Sequence, residues 1–177
     1  TNVGHAVLEN TLVIGDGVGS TRHTTNGTSF TNTTAAPIAS QFIEFRQRIW
    51  AMGTASKIFY STTGTATDWT TDSSSILVPG EGKLQAIMKA NDRLVASKTS
   101  NALFRYDGDT LIDLASKLGP DSYQSIGNVE DYKFWLNRLG IYIFNGASPQ
   151  LISNPVQNQI YNPDNKGITG SVFNTAP

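Results

Sequence analysis

The stretch that decides the fold is residues 42–70, FIEFRQRIWAMGTASKIFYSTTGTATDWT. It contains three short apolar or aromatic runs, and a turn at Gly64 precedes the final Asp-Trp pair. Runs rich in β-branched and aromatic residues, separated by glycine and small polar residues, predict antiparallel strands joined by turns. Residues 42–70 therefore predict a meander of short β-strands.

The same order of strands and turns returns along the whole chain of 177 residues. Residues 93–96 (RLVA) repeat the phase of residues 48–51 (RIWA), and weaker copies lie near both ends. The four turn glycines, at positions 27, 64, 108 and 146, are spaced by 37, 44 and 38 residues. A period near 40 built from strands and hairpin turns is typical of the four-stranded blades of a β-propeller. The sequence predicts an all-β, propeller-like fold rather than a β-sandwich or an up-and-down barrel, which do not predict this repeated phase.

We expect a single propeller-like domain over residues 1–177. The predicted blade units are 5–36, 42–78, 84–118 and 127–154, and residues 155–177 could begin a further blade. The chain starts at Thr1 without Met, so it could be a piece of a longer protein.

Three local predictions follow from the blade pattern. Asn-Gly and Asp-Gly at the turns favour type I′ hairpins, which need positive φ at both central residues. The apolar runs 49–52 and 94–96 fit innermost strands, and the Thr- and Ser-rich runs fit solvated outer strands and turns. Residues 111–118 could form a short helix stopped by Gly119 and Pro120, or an irregular outer strand in the same place.

Charge is scarce. Only 15% of residues are charged, against about 25% in an average domain, and 13 Lys+Arg against 14 Asp+Glu leave a net charge of −1. Because phosphate neutralisation dominates nucleic-acid affinity, we expect no sequence-specific nucleic-acid binding. The chain has no Cys and no apolar run of 18 residues, so we expect neither a thiolate metal site nor a membrane-spanning segment.

Motifs for catalysis or metal binding are weak. Residues 15–20 (GDGVGS) resemble a phosphate-binding loop, but they lack the final Gly or the Lys that the known patterns require. His5 and His23 are the two imidazoles, too few for an ordinary zinc site. The acidic group Asp107, Asp109 and Asp113 lacks the pattern of a calcium loop. We therefore predict no enzymatic activity, no cofactor and no metal.

Residues 61–69 (STTGTATDW) are similar to the Asp-box turn of sialidase-like propellers, with the first Asp replaced and the Gly one place early. Such turns are structural, so the similarity supports propeller hairpins rather than sialidase activity. The three tryptophans could form a sugar-stacking platform, but their repeated phase favours packing between blades. Trp69 and Tyr60 are the residues we predict as a partner or glycan contact.

With these residues in view, 42–154 resembles the structural β-propeller proteins of tailed bacteriophages, the tail-hub or nozzle proteins that close the lower neck or tail. The resemblance rests on the runs 48–51, 58–61, 68–70, 93–96 and 141–146. It implies a non-enzymatic virion component, part of a homo-oligomeric ring around the DNA exit channel and in contact with other tail or neck proteins. Family propellers have more than four blades, so the chain would be a fragment or a reduced version.

Two other functions remain open at this point. The first is a carbohydrate-binding propeller with a lectin-type or receptor-binding role, in which an exposed Trp or Tyr stacks on a sugar ring. The second is a glycosidase of the sialidase-like type, although the sequence does not indicate which two carboxylates would act as the catalytic pair.

Overall fold

The computed structural model describes residues 3–53, 56–71, 73–108 and 110–153. Within these ranges the strands form four antiparallel sheets of four strands, and in each sheet the spatial order of strands follows the chain. The helical structure described is one 3-10 turn, Tyr123–Ser125, and no helix in these ranges has the length and apolar character needed to cross a membrane. The prediction of an all-β chain is confirmed.

We name the four sheets blades 1 to 4 in chain order. Blade 1 consists of β1 (Gly4–Leu8), β2 (Thr11–Gly15), β3 (Arg22–Thr24) and β4 (Thr31–Asn32). Blade 2 consists of β5 (Phe42–Phe45), β6 (Arg48–Met52), β7 (Lys57–Tyr60) and β8 (Ser74–Leu77). Blade 3 consists of β9 (Leu84–Lys89), β10 (Leu94–Lys98), β11 (Leu103–Tyr106) and β12 (Leu111–Ala115). Blade 4 consists of β13 (Gly127–Val129), β14 (Tyr132–Asn137), β15 (Gly140–Phe144) and β16 (Gln150–Leu151).

Three hydrophobic clusters hold neighbouring blades together, one at each junction. Leu8 and Val13 of blade 1 pack with Ile49 of blade 2. Blades 2 and 3 meet through a cluster that includes Trp50, and blades 3 and 4 through one that includes Trp135. Fully burying a large apolar side chain contributes about 1.5–3 kcal/mol. Since a strand alternates its side chains between two faces, each internal blade contributes one face to each of its two junctions.

The innermost strands are the first strands of the blades, because β1, β5 and β9 contact one another in series. The prediction that residues 49–52 and 94–96 are innermost is therefore wrong by one strand: they belong to β6 and β10, the second strands. These runs are apolar because blades cover both faces of the second strand, and every residue of β10 is buried. Between the inner strands of blades 2 and 3, Gln41 donates to the carbonyl of Gln85 at 2.9 Å and accepts from the N–H of Ile87 at 3.1 Å.

The helix considered for residues 111–118 is wrong. Residues 111–115 form β12, which pairs with β11 through a register shift at Leu103 and Phe104. Its backbone groups are satisfied by the edge of blade 3, and this pairing outweighs a weak local preference for helix. The alternative of an irregular outer strand is the one the structure adopts.

All four turn glycines lie in the loop between the third and fourth strands of a blade, and all have positive φ. The prediction of type I′ turns is nevertheless wrong, because none of Asn26, Asp107 and Asn145 has positive φ. Their side-chain oxygens instead accept backbone N–H groups two or three residues ahead: Thr28 N–H donates to Asn26 at 3.0 Å, and Thr110 N–H donates to Asp107 at 2.9 Å. These are Asx turns, in which the side chain replaces a backbone acceptor.

Candidate functional site

The turn that follows β7 contains the residues predicted as a contact site. At its start Ser61 is fully buried, and its hydroxyl accepts the backbone N–H of Ile49 at 3.0 Å. The Arg48 guanidinium donates to the carbonyl of Ser61 at 2.7 Å. The serine therefore ties the turn to the neighbouring strand β6 and performs a structural task.

Asp68 closes the other end of this turn. One carboxylate oxygen accepts the N–H of Thr70 at 2.8 Å, the hydroxyl of Thr70 at 2.9 Å and the N–H of Thr71 at 3.1 Å. Hydrogen bonds from Thr71 and Thr70 favour the charged carboxylate and hold the pKa of Asp68 well below its ordinary value. The backbone carbonyl of Asp68 also accepts from Thr62 at 2.8 Å, which joins the two ends of the turn.

Trp69 and Tyr60 both line a surface depression of about 270 Å³, whose rim includes Ser74. Trp69 is only 6% exposed; its indole N–H donates to the carbonyl of Ala66 at 3.1 Å, and its ring belongs to the cluster between blades 1 and 2. Tyr60 is half-buried, with the Arg48 guanidinium 4.9 Å from its ring centre. Tyr60 packs against the cluster between blades 2 and 3. The two predicted residues therefore line one depression from different blade junctions, and Tyr60 is the more accessible of the two.

A second concavity, of about 190 Å³, was not predicted from the sequence. Its lining comes from three blades and includes Lys89 and Lys133. The Lys89 ammonium lies 3.4 Å from a carboxylate oxygen of Glu44. Burial lowers the pKa of Lys133; the Asp131 carboxylate opposes this shift, and Lys89 adds a smaller contribution that lowers the pKa. No local motif signals this site, because its residues are brought together only by the packing of blades.

In the loop at residues 15–20, the side chain of Asp16 accepts the backbone N–H groups of the loop itself. A carboxylate oxygen of Asp16 accepts the N–H groups of Val18 at 2.9 Å and Gly19 at 2.8 Å, and these bonds lower the pKa of Asp16. A phosphate would need such N–H groups to be available. The strand β3 (Arg22–Thr24) follows where a phosphate-binding loop requires a helix, so the loop connects two strands.

The other candidate residues that the structure describes lie in or next to strands. His5 is exposed in β1, whereas Nδ1 of His23 lies 3.0 Å from the Thr33 hydroxyl. Asp109 lies outside the described residues, and Asp113 is in β12 opposite Phe104. Within the described ranges no three His, Asp or Glu residues are close enough together to hold a metal ion.

All three tryptophans pack in the clusters that join neighbouring blades. Their rings are 1–6% exposed, and each indole N–H donates to a backbone carbonyl: Trp50 to Phe45 at 3.0 Å, Trp69 to Ala66 at 3.1 Å and Trp135 to Leu118 at 2.9 Å. Trp50 also meets Tyr106 of the next blade, with ring centres 4.9 Å apart. The expectation that the tryptophans pack between blades is confirmed by these positions.

Solved structures share this fold at low sequence identity. A Bacteroides fragilis protein described as exported superposes with a TM-score of 0.54 at 16% identity, over 94% of this chain and 57% of its own. The computationally designed Ika8 protein gives 0.55 at 13% identity, over 84% of this chain and 46% of its own. The GH74 xyloglucanase from Xanthomonas campestris gives 0.55 at 15% identity, over 85% and 24%.

This chain thus spans 24–57% of the length of these three proteins. No protein-family model matches the sequence, and no curated protein matches it. At such identities the likeness concerns the fold alone. Together with the four meander sheets stacked in series, it confirms the predicted fold: the chain is an all-β protein of the β-propeller type.

Proposed function

We propose that this chain is a non-enzymatic structural component of the tail or neck of a phage virion, assembling with other tail or neck proteins around the DNA exit channel. One observation carries the proposal beyond the sequence resemblance: the tryptophans of the repeat, the residues best suited to bind a ligand, are buried and hydrogen-bonded in the blades. The repeat is built for packing.

The charge distribution supports protein neighbours as partners. The chain has a net charge of −1, and one salt bridge, Lys89 with Glu44, lies in the described ranges with both side chains partly exposed. A surface that is neutral and polar lacks the basic field that holds DNA. DNA that passes through a tail channel must slide without being held, so a weakly charged surface suits that position.

The proposal is tested on assembled particles. The gene segment that encodes this chain is given an affinity tag, particles are purified, and the tag is located by gold labelling in electron microscopy. Label at the tail or neck is the expected result. Label on the head, or purified particles that lack the protein, would contradict the proposal.

A second candidate function is carbohydrate binding at the Tyr60 depression. It is favoured by the depression that Tyr60 and Trp69 both line, with Ser74 at its rim to offer a hydroxyl. Aromatic faces flanked by polar groups are suited to stacking on sugar rings. Because Trp69 is part of the core, its substitution would destabilise the blade and could not separate binding from folding.

The test of this second function is a glycan array with the purified chain. Ser74→Arg places a bulky side chain at the rim of the depression and should abolish any glycan signal. Thr31→Arg, on the exposed strand β4 of blade 1, is the matched control and should leave the signal unchanged. An array without signal, or equal signals from both variants, would remove this function.

A further inference from the structure

Among the described residues, the first and last blades each present an apolar face that no other described sheet covers. In blade 1, Leu12 and Ile14 point away from the fully buried Val13, and Val7, paired with Leu12, is 51% exposed. None of Leu12, Ile14 and Val7 belongs to the three clusters that join the described blades. We call Val7, Leu12 and Ile14 the leading face.

Internal blades show what these positions normally contact. By strand register, Leu12 and Ile14 of β2 correspond to Ile49 and Ala51 of β6 and to Leu94 and Ala96 of β10. The corresponding residues of blades 2 and 3 are all 0% exposed, because the preceding blade covers them. The leading face therefore has the composition of a blade-to-blade junction that no described blade covers.

Blade 4 has the opposite unfinished face. Phe134 and Leu136 alternate with the buried Trp135, and they pair across the sheet with Ile143 and Ile141. These four residues are partly exposed and lie outside the three clusters of the described chain. We call them the trailing face.

The trailing face also has a buried counterpart inside the chain. Phe134 and Ile141 correspond by register to Trp50 and Ile58 of blade 2, and those two residues are 2% and 1% exposed at the junction with blade 3. Every internal junction joins the trailing side of one blade to the leading side of the next. The two free faces therefore continue an established series of interfaces in the same sense.

We propose that the trailing face of one copy packs on the leading face of a second copy, and that two such junctions close a dimeric ring of eight blades. The number of copies follows from closure. Propellers close with about four to eight blades, and the described residues of each copy supply four, so two copies make a ring of eight. A four-blade ring would bury both faces against each other, which the exposure of Val7 contradicts; a second copy satisfies both faces at once.

The contact between copies is head-to-tail, so two copies related by a two-fold axis bury both pairs of faces and leave none open. This inference does not depend on the proposed virion function.

The test is the mass of the purified chain in sedimentation velocity over a wide range of concentration. We expect a species of twice the 19.1 kDa chain mass. Leu12→Lys and Ile143→Lys, one on each face, should each raise the dissociation constant at least about tenfold. An equimolar mixture of the two variants should restore a dimer through the one intact junction, because each variant keeps the face that the other has lost.

Leu77→Lys is the matched control: Leu77 is 62% exposed on the outer strand β8, away from both end faces, and its replacement should not change the dissociation constant. Val7→Asp, at a half-exposed site, repeats the leading-face test should Leu12→Lys lower the melting temperature. A monomer at every concentration would overturn the proposal. So would a dimer that survives all the face variants, or open chains of many copies instead of a closed pair.

Discussion

The second strands of blades 1 and 3 have the same apolar phase but different surroundings. Leu94 and Ala96 of β10 are completely buried between blades 2 and 3, whereas Leu12 and Ile14 of β2 remain partly exposed. The difference shows that an apolar strand face becomes buried only when a neighbouring blade packs against it. In a series of stacked blades, the stability of each blade depends largely on its immediate neighbours, as in other repeat proteins.

The largest effect is expected when this comparison is tested directly. Leu94→Ala should lower the free energy of unfolding by about 2–5 kcal/mol, because it leaves a cavity in a closed junction. Leu12→Ala, measured at concentrations where the chain is monomeric, should cost roughly 1 kcal/mol, since part of its side chain is already in water. Urea unfolding gives both values, and equal losses would refute the distinction between closed and open faces.

A second prediction concerns the charged residue at the junction of blades 2 and 3. Lys98 is 2% exposed, and its ammonium donates to the carbonyls of Val78 and Pro79 at 3.0 Å each and to that of Gly80. Lys98→Met keeps the apolar stem but leaves these carbonyls without the charged donor. It should lower the free energy of unfolding by about 2–4 kcal/mol. The exposed Lys83 provides the control, and thermal melting in which both Met variants behave alike would contradict this role.

Two turn glycines allow the same comparison between an open position and one packed against a neighbouring blade. Gly27 has φ +73° with open space around it, while a Cβ on Gly146 would lie 2.6 Å from the Ala90 carbonyl of blade 3. Gly27→Ala should cost about 1 kcal/mol from backbone strain alone, and Gly146→Ala about 2–3 kcal/mol, because blade 3 must also move. Melting curves followed by circular dichroism distinguish the two, and a Gly146→Ala cost no larger than that of Gly27→Ala would show that this junction is loose.

The smallest effect is expected at Asp68, whose turn holds Trp69 in the junction of blades 1 and 2. Its folded-state pKa is lowered, chiefly by the hydroxyl of Thr71 and the N–H of Thr70, so the unfolded chain binds the proton more readily. The stabilisation is present above the ordinary pKa of 3.8 and is lost as the pH falls below it towards the folded pKa. The stability difference between the protein and Asp68→Asn should therefore shrink in acid.

Unfolding followed by tryptophan fluorescence across this pH range measures the difference. Asp92→Asn, in an exposed turn, is the control for the general effect of removing one carboxylate. A difference that stays constant from neutral to acidic pH would show that Asp68 does not contribute through its charge.

Much of the architecture was predictable because it depends on local pattern. The phase shared by residues 48–51 and 93–96 places equivalent residues in β6 and β10, and the spacing of the four glycines marks equivalent loops. One error arose where a neighbouring strand decides the outcome, and another where a side chain within the turn replaces a backbone acceptor. Residues 111–115 join a sheet edge in place of a helix, and Asn26 and Asp107 bind backbone N–H groups instead of adopting positive φ.

The candidate sites divide in the same way. Tyr60 ends β7 and Trp69 lies nine positions later in the turn that follows, so one local segment brings both to the same depression. Lys89 and Glu44 meet across blades although 45 positions separate them, and no short pattern contains both. The burial of Trp69 likewise depends on blade 1, which the turn sequence does not describe.

The sequence by itself determined the strands, their alternating faces and the turn positions, because these are set by residues within a few positions of one another. Only the tertiary structure decided which strand of each blade is innermost, which charges meet between blades, and which apolar faces remain without a neighbour. The physical reason is that a side chain between blades is buried only when a second blade covers it. Leu94 and Leu12 are both leucines at equivalent positions of their strands, and Leu94 is part of the core because a neighbouring sheet covers it.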